Sequence, residues 1–263
     1  MQAPPKRAGD QPKPRRLEAA ATVLAGGIEG GLTLLAAQPL QGAIIGAGVA
    51  SLSLVLQHVA SDMGQRMLSP REDLRIGEAM VSAVRKAREN NEHGFHLRND
   101  DFFASSPGER PPAEEITEAV FLAIQREVQE RKIPSESYLL VNIAYRPNVT
   151  PHMAHRLVRL IAELSYSQLS VLAVLGERPT WSLQSHRIDR PIDNPTLADV
   201  HDLVFRGVVT PSGITERNGG PFMSEISVGP VGSGLIELAE LTRLPILDID
   251  RARTALAALV RES

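Results

Sequence analysis

The chain has 263 residues, a net charge of −3 at neutral pH and no cysteine. Such a length suits one large domain or two small ones. Without cysteine, disulfides, thiolate metal sites and a cysteine nucleophile are excluded, and the nearly balanced charge provides no overall field that would attract nucleic acid. Aromatic residues make up only 4% of the chain, so the core must be mainly aliphatic, which favours helices.

Residues 1–18 form a basic, proline-rich start. Five Lys and Arg side chains and four prolines lie within the first 16 residues, against a single aspartate. A segment with so little apolar content and one dominant sign of charge does not bury enough surface to fold. We therefore predict a disordered basic tail.

The segment 19–63 is strongly apolar and predicts a helical hairpin. Glu29 is its only formally charged residue before Asp62, and the polar stretch 38–41 divides the segment into two arms of about 19 and 20 residues. About 20 apolar residues cross a bilayer as a helix. The pattern predicts a transmembrane hairpin, in which Glu29 is an intramembrane polar residue that faces a partner helix or a water-filled lumen.

Glycines recur four residues apart along both arms. Small residues at this spacing let two helix backbones approach closely, as in paired membrane helices. In a helix exposed to water each glycine would instead cost up to about 1 kcal/mol relative to alanine. The candidate residues for helix packing and homo-oligomerisation are therefore Gly26, Gly27, Gly30, Gly31, Gly42 and Gly46.

The charges on either side of the hairpin predict its orientation. The basic tail precedes the first arm, and Arg66, Arg71 and Arg75 follow the second. Basic residues on the same side of two spans favour an inner-membrane protein with both termini in the cytoplasm. Two alternatives remain open, namely conditional insertion at the interface and a buried hairpin in a soluble protein, where Glu29 would be a surface residue.

Residues 69–176 predict a helical domain. Ser69, Pro70 and Glu72 form a helix start with a capping box, and Gly94 follows the end of that helix. Arg85, Lys86 and Arg88 are expected to be a solvated, basic helix end. Further helices are predicted over residues 112–131, 135–144, from 151 after the cap Thr150, and 165–175.

Residues 177–263 predict a small winged-helix-like α+β module. A polar loop with Trp181 precedes a helix over 196–209, an alternating strand over 222–228, and helices over 234–244 and 249–261. No basic stripe marks a recognition helix, so we expect a docking role and no nucleic acid. The expected fold is mainly α: hairpin, helical domain and this module.

No catalytic, cofactor-binding or metal-binding motif is present in the sequence. The stretch 43–51 approaches a dinucleotide-binding fingerprint, but it lacks the third glycine and the second strand. The pairs His93/His96 and His152/His155 have no third ligand at a convincing spacing. We therefore expect a non-enzymatic protein without cofactor or metal.

Several short motifs resemble uncharacterised bacterial membrane-associated proteins related to the Abi-alpha type of abortive-infection families. The resemblance is carried by the apolar start, by residues 69–72 (SPRE), 130–134 (ERKIP) and 164–169 (LSYSQL), and by the closing helix–glycine–strand–helix unit. It implies a role in phage defence, as a membrane-disrupting effector that the cytosolic part controls. It transfers no site residues.

Two hypotheses for function follow. In the first, the protein is a membrane effector whose partner is the lipid bilayer, whose hairpins assemble into homo-oligomers, and whose helical domain senses a regulatory protein or signal. In the second, it is a soluble or peripheral regulatory protein, with the hairpin as a buried core and the C-terminal module as the surface that docks a partner.

The first hypothesis predicts that Gly46→Leu blocks assembly, because the larger side chain holds the paired helices apart. Oligomer size on a native gel and toxicity in a bacterial host measure the effect. Unchanged oligomer size and toxicity in this variant would count against the hypothesis.

Overall fold

A computed structural model describes residues 26–35, 47–105, 107–183, 194–217 and 220–260. The tail over 1–18, the turn over 38–41, and Gly42 and Gly46 lie outside these ranges. The described part of the first arm is the helix α1, residues 26–35. The second arm contains the helix α2, Ala47–Gly64.

The remaining elements follow in chain order. The helices are α3 (Pro70–Glu92), α4 (Pro112–Arg126), α5 (Ile133–Ala144), α6 (Pro151–Glu163), α7 (Tyr166–Leu175), α8 (Pro195–Phe205), α9 (Pro230–Leu238) and α10 (Ile246–Ala257). The strands are β1 (Trp181–Ser182), β2 (Val209–Arg217) and β3 (Gly220–Val228). The fold is therefore mainly α with a small sheet, as the sequence predicts.

Local hydrogen bonds fix the predicted helix starts. At the start of α3, the Ser69 backbone N–H donates to the Glu72 carboxylate over 2.7 Å, and the Glu72 N–H donates back to the Ser69 hydroxyl. These bonds to Ser69, with a further one from Gln125, lower the pKa of Glu72 to about 2. Ser165 and Gln168 form the same reciprocal pair at the start of α7, while Thr150 caps α6 with a single bond, from the Met153 N–H to its hydroxyl, so all three predicted starts are confirmed.

The core lies around α3 and α5, which pack along each other and are flanked by α4 and α6. Its buried apolar side chains form one continuous cluster that extends from Ile28 in α1 to Leu259 after α10. The C-terminal helices join it because α9 packs on α5 and α10 packs on α7. Burial of these apolar side chains supplies most of the driving force for folding.

The sheet is antiparallel, with β3 between β1 and β2. The hairpin β2–β3 pairs Val209 with Val228 at its base and Arg217 with Gly220 near its tip. The predicted strand over 222–228 is thus confirmed as part of β3. Among the described residues, one helix, α8, lies between β1 and β2.

Several local predictions are wrong, and one of them fails at a residue whose partner lies far along the chain. Lys86 is buried, not solvated, because its ammonium pairs with Glu240 from the C-terminal region. Trp181 lies in the short strand β1, not in a loop, and it is buried, with its indole N–H donating to the Leu175 carbonyl over 3.0 Å. The helix α9 begins at Pro230, four residues early, and ends before Glu240, where the backbone is left-handed with φ 51°.

The helix α4 ends at Arg126, five residues before its predicted end, and a buried ionic cluster follows it. The Lys132 ammonium turns inward, where it donates to Glu127 and, over 3.1 Å, to the Ala162 carbonyl. Glu136 lies 3.7 Å from the same ammonium, but neither carboxylate oxygen has a hydrogen-bond partner among the described residues. Burial raises the pKa of Glu136 to about 7 despite the nearby lysine.

Glu136→Gln should stabilise the protein above pH 7. A carboxyl with a raised pKa in the folded state makes the protein lose stability as the pH rises from about 4.5 to about 7. We expect the variant to gain roughly 1–3 kcal/mol in unfolding free energy at pH 8 and little at pH 4. Urea denaturation across this pH range measures the difference.

Glu127→Gln is the matched control, because it removes the hydrogen-bonded partner of buried Lys132 and should destabilise the fold. A Glu136→Gln variant that is less stable than the wild type at pH 8 would contradict this interpretation of the cluster. So would a variant whose unfolding free energy depends on pH as that of the wild type does.

Candidate functional site: the docking face of the N-terminal helices

The helix α1 crosses α3 at a contact between two glycines. A Cβ atom added to Gly77 would lie 2.4 Å from the carbonyl oxygen of Gly27, which is a backbone atom that a side-chain movement cannot relieve. Any residue larger than glycine at position 77 would therefore push α1 away from α3. This contact sets the distance between the two backbones.

Asp73 anchors the start of the same contact. Its carboxylate accepts a hydrogen bond from the Ile28 backbone N–H over 3.1 Å. Gly27, the preceding residue, is left-handed with φ 52°, and a Cβ atom there would lie 1.7 Å from the Asp73 carboxylate. Glycine is thus required at position 27 both for its backbone conformation and for the space that Asp73 occupies.

Apolar side chains complete the docking of α1. A Cβ atom at Gly31 would lie 2.8 Å from the sulfur of Met80, so the methionine covers this glycine closely. Ile28 and Leu35 are only 3% and 4% exposed. The described face of the first arm is therefore buried against the body of the same chain.

The helix α2 packs on α4 with one face. From residue 52 onward its buried side chains recur at helical spacing: Leu52, Val55, Leu56, Val59, Ala60 and Met63. Its outer face exposes polar groups as well as Leu54, which is 63% exposed.

An ionic bridge fixes the end of α2 to α4. The Arg66 guanidinium donates to Glu118 over 2.5 Å, and Arg110 donates to the other oxygen of the same carboxylate over 2.6 Å. These two bonds, that of Arg110 first, lower the pKa of Glu118. Both arginines are exposed to solvent, so the bridge adds little stability and acts mainly to position the end of α2 on α4.

The residues predicted from the sequence occupy different places. Gly27 and Gly31 are buried at the contact with α3, Gly26 and Gly30 are half-buried, and Glu29 is exposed to solvent. Gly42 and Gly46 lie outside the described residues. Pairing of these glycines with a second copy stays a prediction, as does an intramembrane role for Glu29.

The residues that receive α1 were missed from the sequence. Asp73, Gly77 and Met80 all lie on α3, 45 or more residues after Gly27 and Ile28. Gly77 did carry a signal, because a glycine in a helix interior costs about 0.5–1 kcal/mol relative to alanine and needs a packing reason. The identity of its partner could not be read from local spacing.

A second polar site lies between α3, α5 and the turn after α9. It is a cavity of about 210 Å³, and its lining includes Lys86, Asn90, Asn142 and Glu240. Asn90 donates to Asn142 over 3.0 Å, and Asn142 donates to the Leu238 carbonyl over 2.8 Å. Lys86 and Glu240 pair at its base. These mutual bonds join the C-terminal region to α3 and α5.

Within the described ranges, no group of three or more His, Asp or Glu side chains could hold a metal ion. No single helix of the described chain is long and apolar enough to cross a membrane, and only α6 and α7 meet those criteria as a pair, bent by 117°. Comparisons of the chain with known protein families, curated proteins and solved structures give no match.

Gly77→Ala should detach α1, because the added methyl collides with the Gly27 carbonyl. We expect a loss of roughly 2–4 kcal/mol in unfolding free energy, since the burial of Ile28 and Leu35 is lost. Backbone amides of residues 26–35 should also exchange faster with deuterium. Urea denaturation and hydrogen-exchange mass spectrometry measure the two effects.

Gly26→Ala is the matched control, because a Cβ atom there meets nothing within 4 Å. It should leave the stability unchanged or raise it by up to about 1 kcal/mol. Equal exchange rates over residues 26–35 in the two variants would show that the glycine contact does not hold α1.

Proposed function

We propose that the protein is a non-enzymatic, membrane-associated effector whose apolar N-terminal helices are stored on its helical body and are released to act on the bilayer. The observation that supports this proposal most directly is the contact between Gly27 and Gly77, with the hydrogen bond from Ile28 to Asp73. In this arrangement α3 covers Gly27 and Gly31, two of the glycines whose four-residue spacing predicts helix pairing.

The balance between stored and released helices rests on polar and close-packed contacts. An apolar side chain gains little when it moves from a protein core into lipid, since lipid tails are as apolar as leucine. The glycine contact, the Asp73 hydrogen bond and the ionic bridge of Arg66 therefore oppose release, and a ligand that weakens them would favour it. Released helices would expose their glycine faces and assemble as homo-oligomers in the inner membrane, with both termini cytoplasmic.

The finer parts of the proposal rest on the sequence. A role in phage defence rests on the motif resemblance to the Abi-alpha type families alone. The C-terminal region is described as winged-helix-like because of the order of its elements. The helix α8 is followed by the hairpin of β2 and β3, and then by the helix α9. We propose this region as the place where a regulatory protein binds, because it is joined to α3 through Lys86 and Glu240.

A second candidate function is favoured by the burial of α2. Its side chains Leu56, Ala60 and Met63 are fully buried, which is also expected of a permanent core element. In that case the protein is a regulatory or interaction protein whose N-terminal helices never leave the body.

Membrane fractionation separates the two functions. Tagged wild type, Gly77→Ala and Gly26→Ala are expressed in a bacterial host, and the membranes are washed with alkaline carbonate. We expect the carbonate-resistant share of Gly77→Ala to rise several-fold over the other two, because its α1 is free to insert.

A Gly77→Ala protein that shows fast hydrogen exchange over residues 26–35 but stays in the supernatant would overturn the membrane proposal. That result would leave the interaction protein as the remaining function.

A further inference from the structure

Three large apolar side chains are exposed at one junction of the helical body. Ile246 and Leu247, in the first turn of α10, are 66% and 68% exposed, and Val128, just after α4, is 85% exposed. Each would gain free energy from leaving water. A group of exposed apolar side chains, unlike a single one, is expected where a protein meets a partner surface.

A set of side-chain contacts holds the two segments next to each other. The Tyr166 backbone N–H donates to the Gln129 side-chain carbonyl over 2.5 Å, next to Val128. The Tyr166 hydroxyl donates to Asp248 over 3.0 Å, next to Leu247. Arg131 pairs with the same Asp248 and lies 4.5 Å above the Tyr166 ring. The two segments that carry the exposed apolar side chains are thus linked by direct side-chain bonds.

The charges on this face are arranged so that the positive groups point to solvent. The Asp248 side chain is only 11% exposed, while its partners Arg131 and Arg251 are 59% and 80% exposed. The side chain of Asp250, one residue before Arg251, is more exposed than that of Asp248, and it pairs with Arg253. Around Asp248 the two guanidinium groups are therefore more exposed than the carboxylate that they pair with.

We propose that Val128, Arg131, Ile246, Leu247 and Arg251, together called the α10 face, bind the headgroups of an anionic lipid bilayer. The apolar side chains would enter the interface between headgroups and acyl chains, and the arginines would pair with lipid phosphates. This inference rests on the proposed membrane function and deepens it by naming the lipid chemistry that the body recognises before α1 and α2 are released.

Charge and shape favour a lipid surface as the occupant. Arg131 lies three residues after Val128 and Arg251 four residues after Leu247, and such a combination of exposed arginines and apolar side chains suits a deformable surface of repeating anionic groups. Guanidinium groups also form paired hydrogen bonds with phosphate oxygens.

Co-sedimentation of the purified full-length chain with lipid vesicles tests the α10 face. One set of vesicles is phosphatidylcholine alone, and the other contains added phosphatidylglycerol. We expect the wild type to bind only the anionic vesicles and to be released by high salt, because the phosphate contacts are screened.

Two variants and one control locate the binding surface. The double variant Ile246→Ser/Leu247→Ser should bind anionic vesicles roughly tenfold more weakly, and Arg251→Glu should also weaken binding. Phe205→Ser is the control, because Phe205 is 90% exposed on α8, outside the α10 face. Circular dichroism checks that each variant stays folded.

Equal binding to both vesicle types, no binding at all, or normal binding by both α10 variants would overturn the inference. A Phe205→Ser variant as weak as the double variant would do the same. These results are distinct from failure of the proposed function, which is judged by carbonate resistance of Gly77→Ala. Salt-released binding through the α10 face can hold or fail independently of that insertion.

Discussion

The close approach of α1 to α3 at Gly27 and Gly77 is the constraint on which the arrangement of the N-terminal helices depends. With no Cβ atom at position 77, the backbone of α3 lies so close to the Gly27 carbonyl that a side chain on residue 77 would collide with it. That approach brings the Ile28 N–H to Asp73 and buries Ile28 and Leu35. It also turns Glu29 toward solvent, so the only charge of the apolar segment before Asp62 keeps its hydration.

Small residues serve two purposes in such a segment. The spacing that lets two membrane helices pair also lets a helix lie flat on a protein surface, and composition alone does not distinguish the two. The structure shows the second arrangement for α1, because its glycine face is covered by α3, and pairing in a membrane stays part of the proposal. Under the proposed function, a switch between the stored and released states requires a ligand that binds the released state more tightly than the stored one.

The sequence predicted those parts of the fold that short-range interactions decide. The starts of α3, α6 and α7 were predicted because Ser69, Thr150 and Ser165 bond to backbone groups three residues away. At Lys86 the prediction failed because the partner lies far along the chain. Lys86 was taken for a solvated residue because its partner Glu240 lies 154 positions later.

Only one side of the candidate site, the glycines of α1, was predicted from the sequence, for the same reason. The spacing of Gly27 and Gly31 indicated a helix-packing face, but nothing in that spacing identifies α3 as the helix packed against it. Asp73, Gly77 and Met80 become a docking surface only when the fold brings α1 across them. The α10 face was equally hidden, because the exposure of Ile246 and Leu247 depends on how α10 packs on α7.

A single engineered disulfide tests the docking of α1 most directly, because the chain has no cysteine of its own. A Cβ atom at position 31 would lie 3.0 Å from the Cβ of Met80, slightly closer than the roughly 3.5–4.5 Å of a disulfide. Gly31→Cys/Met80→Cys should therefore form an intramolecular disulfide under mild oxidation, and added Gly77→Ala should abolish it. Failure to form it, disulfide-linked dimers in its place, or equal yield with Gly77→Ala would contradict the docked arrangement.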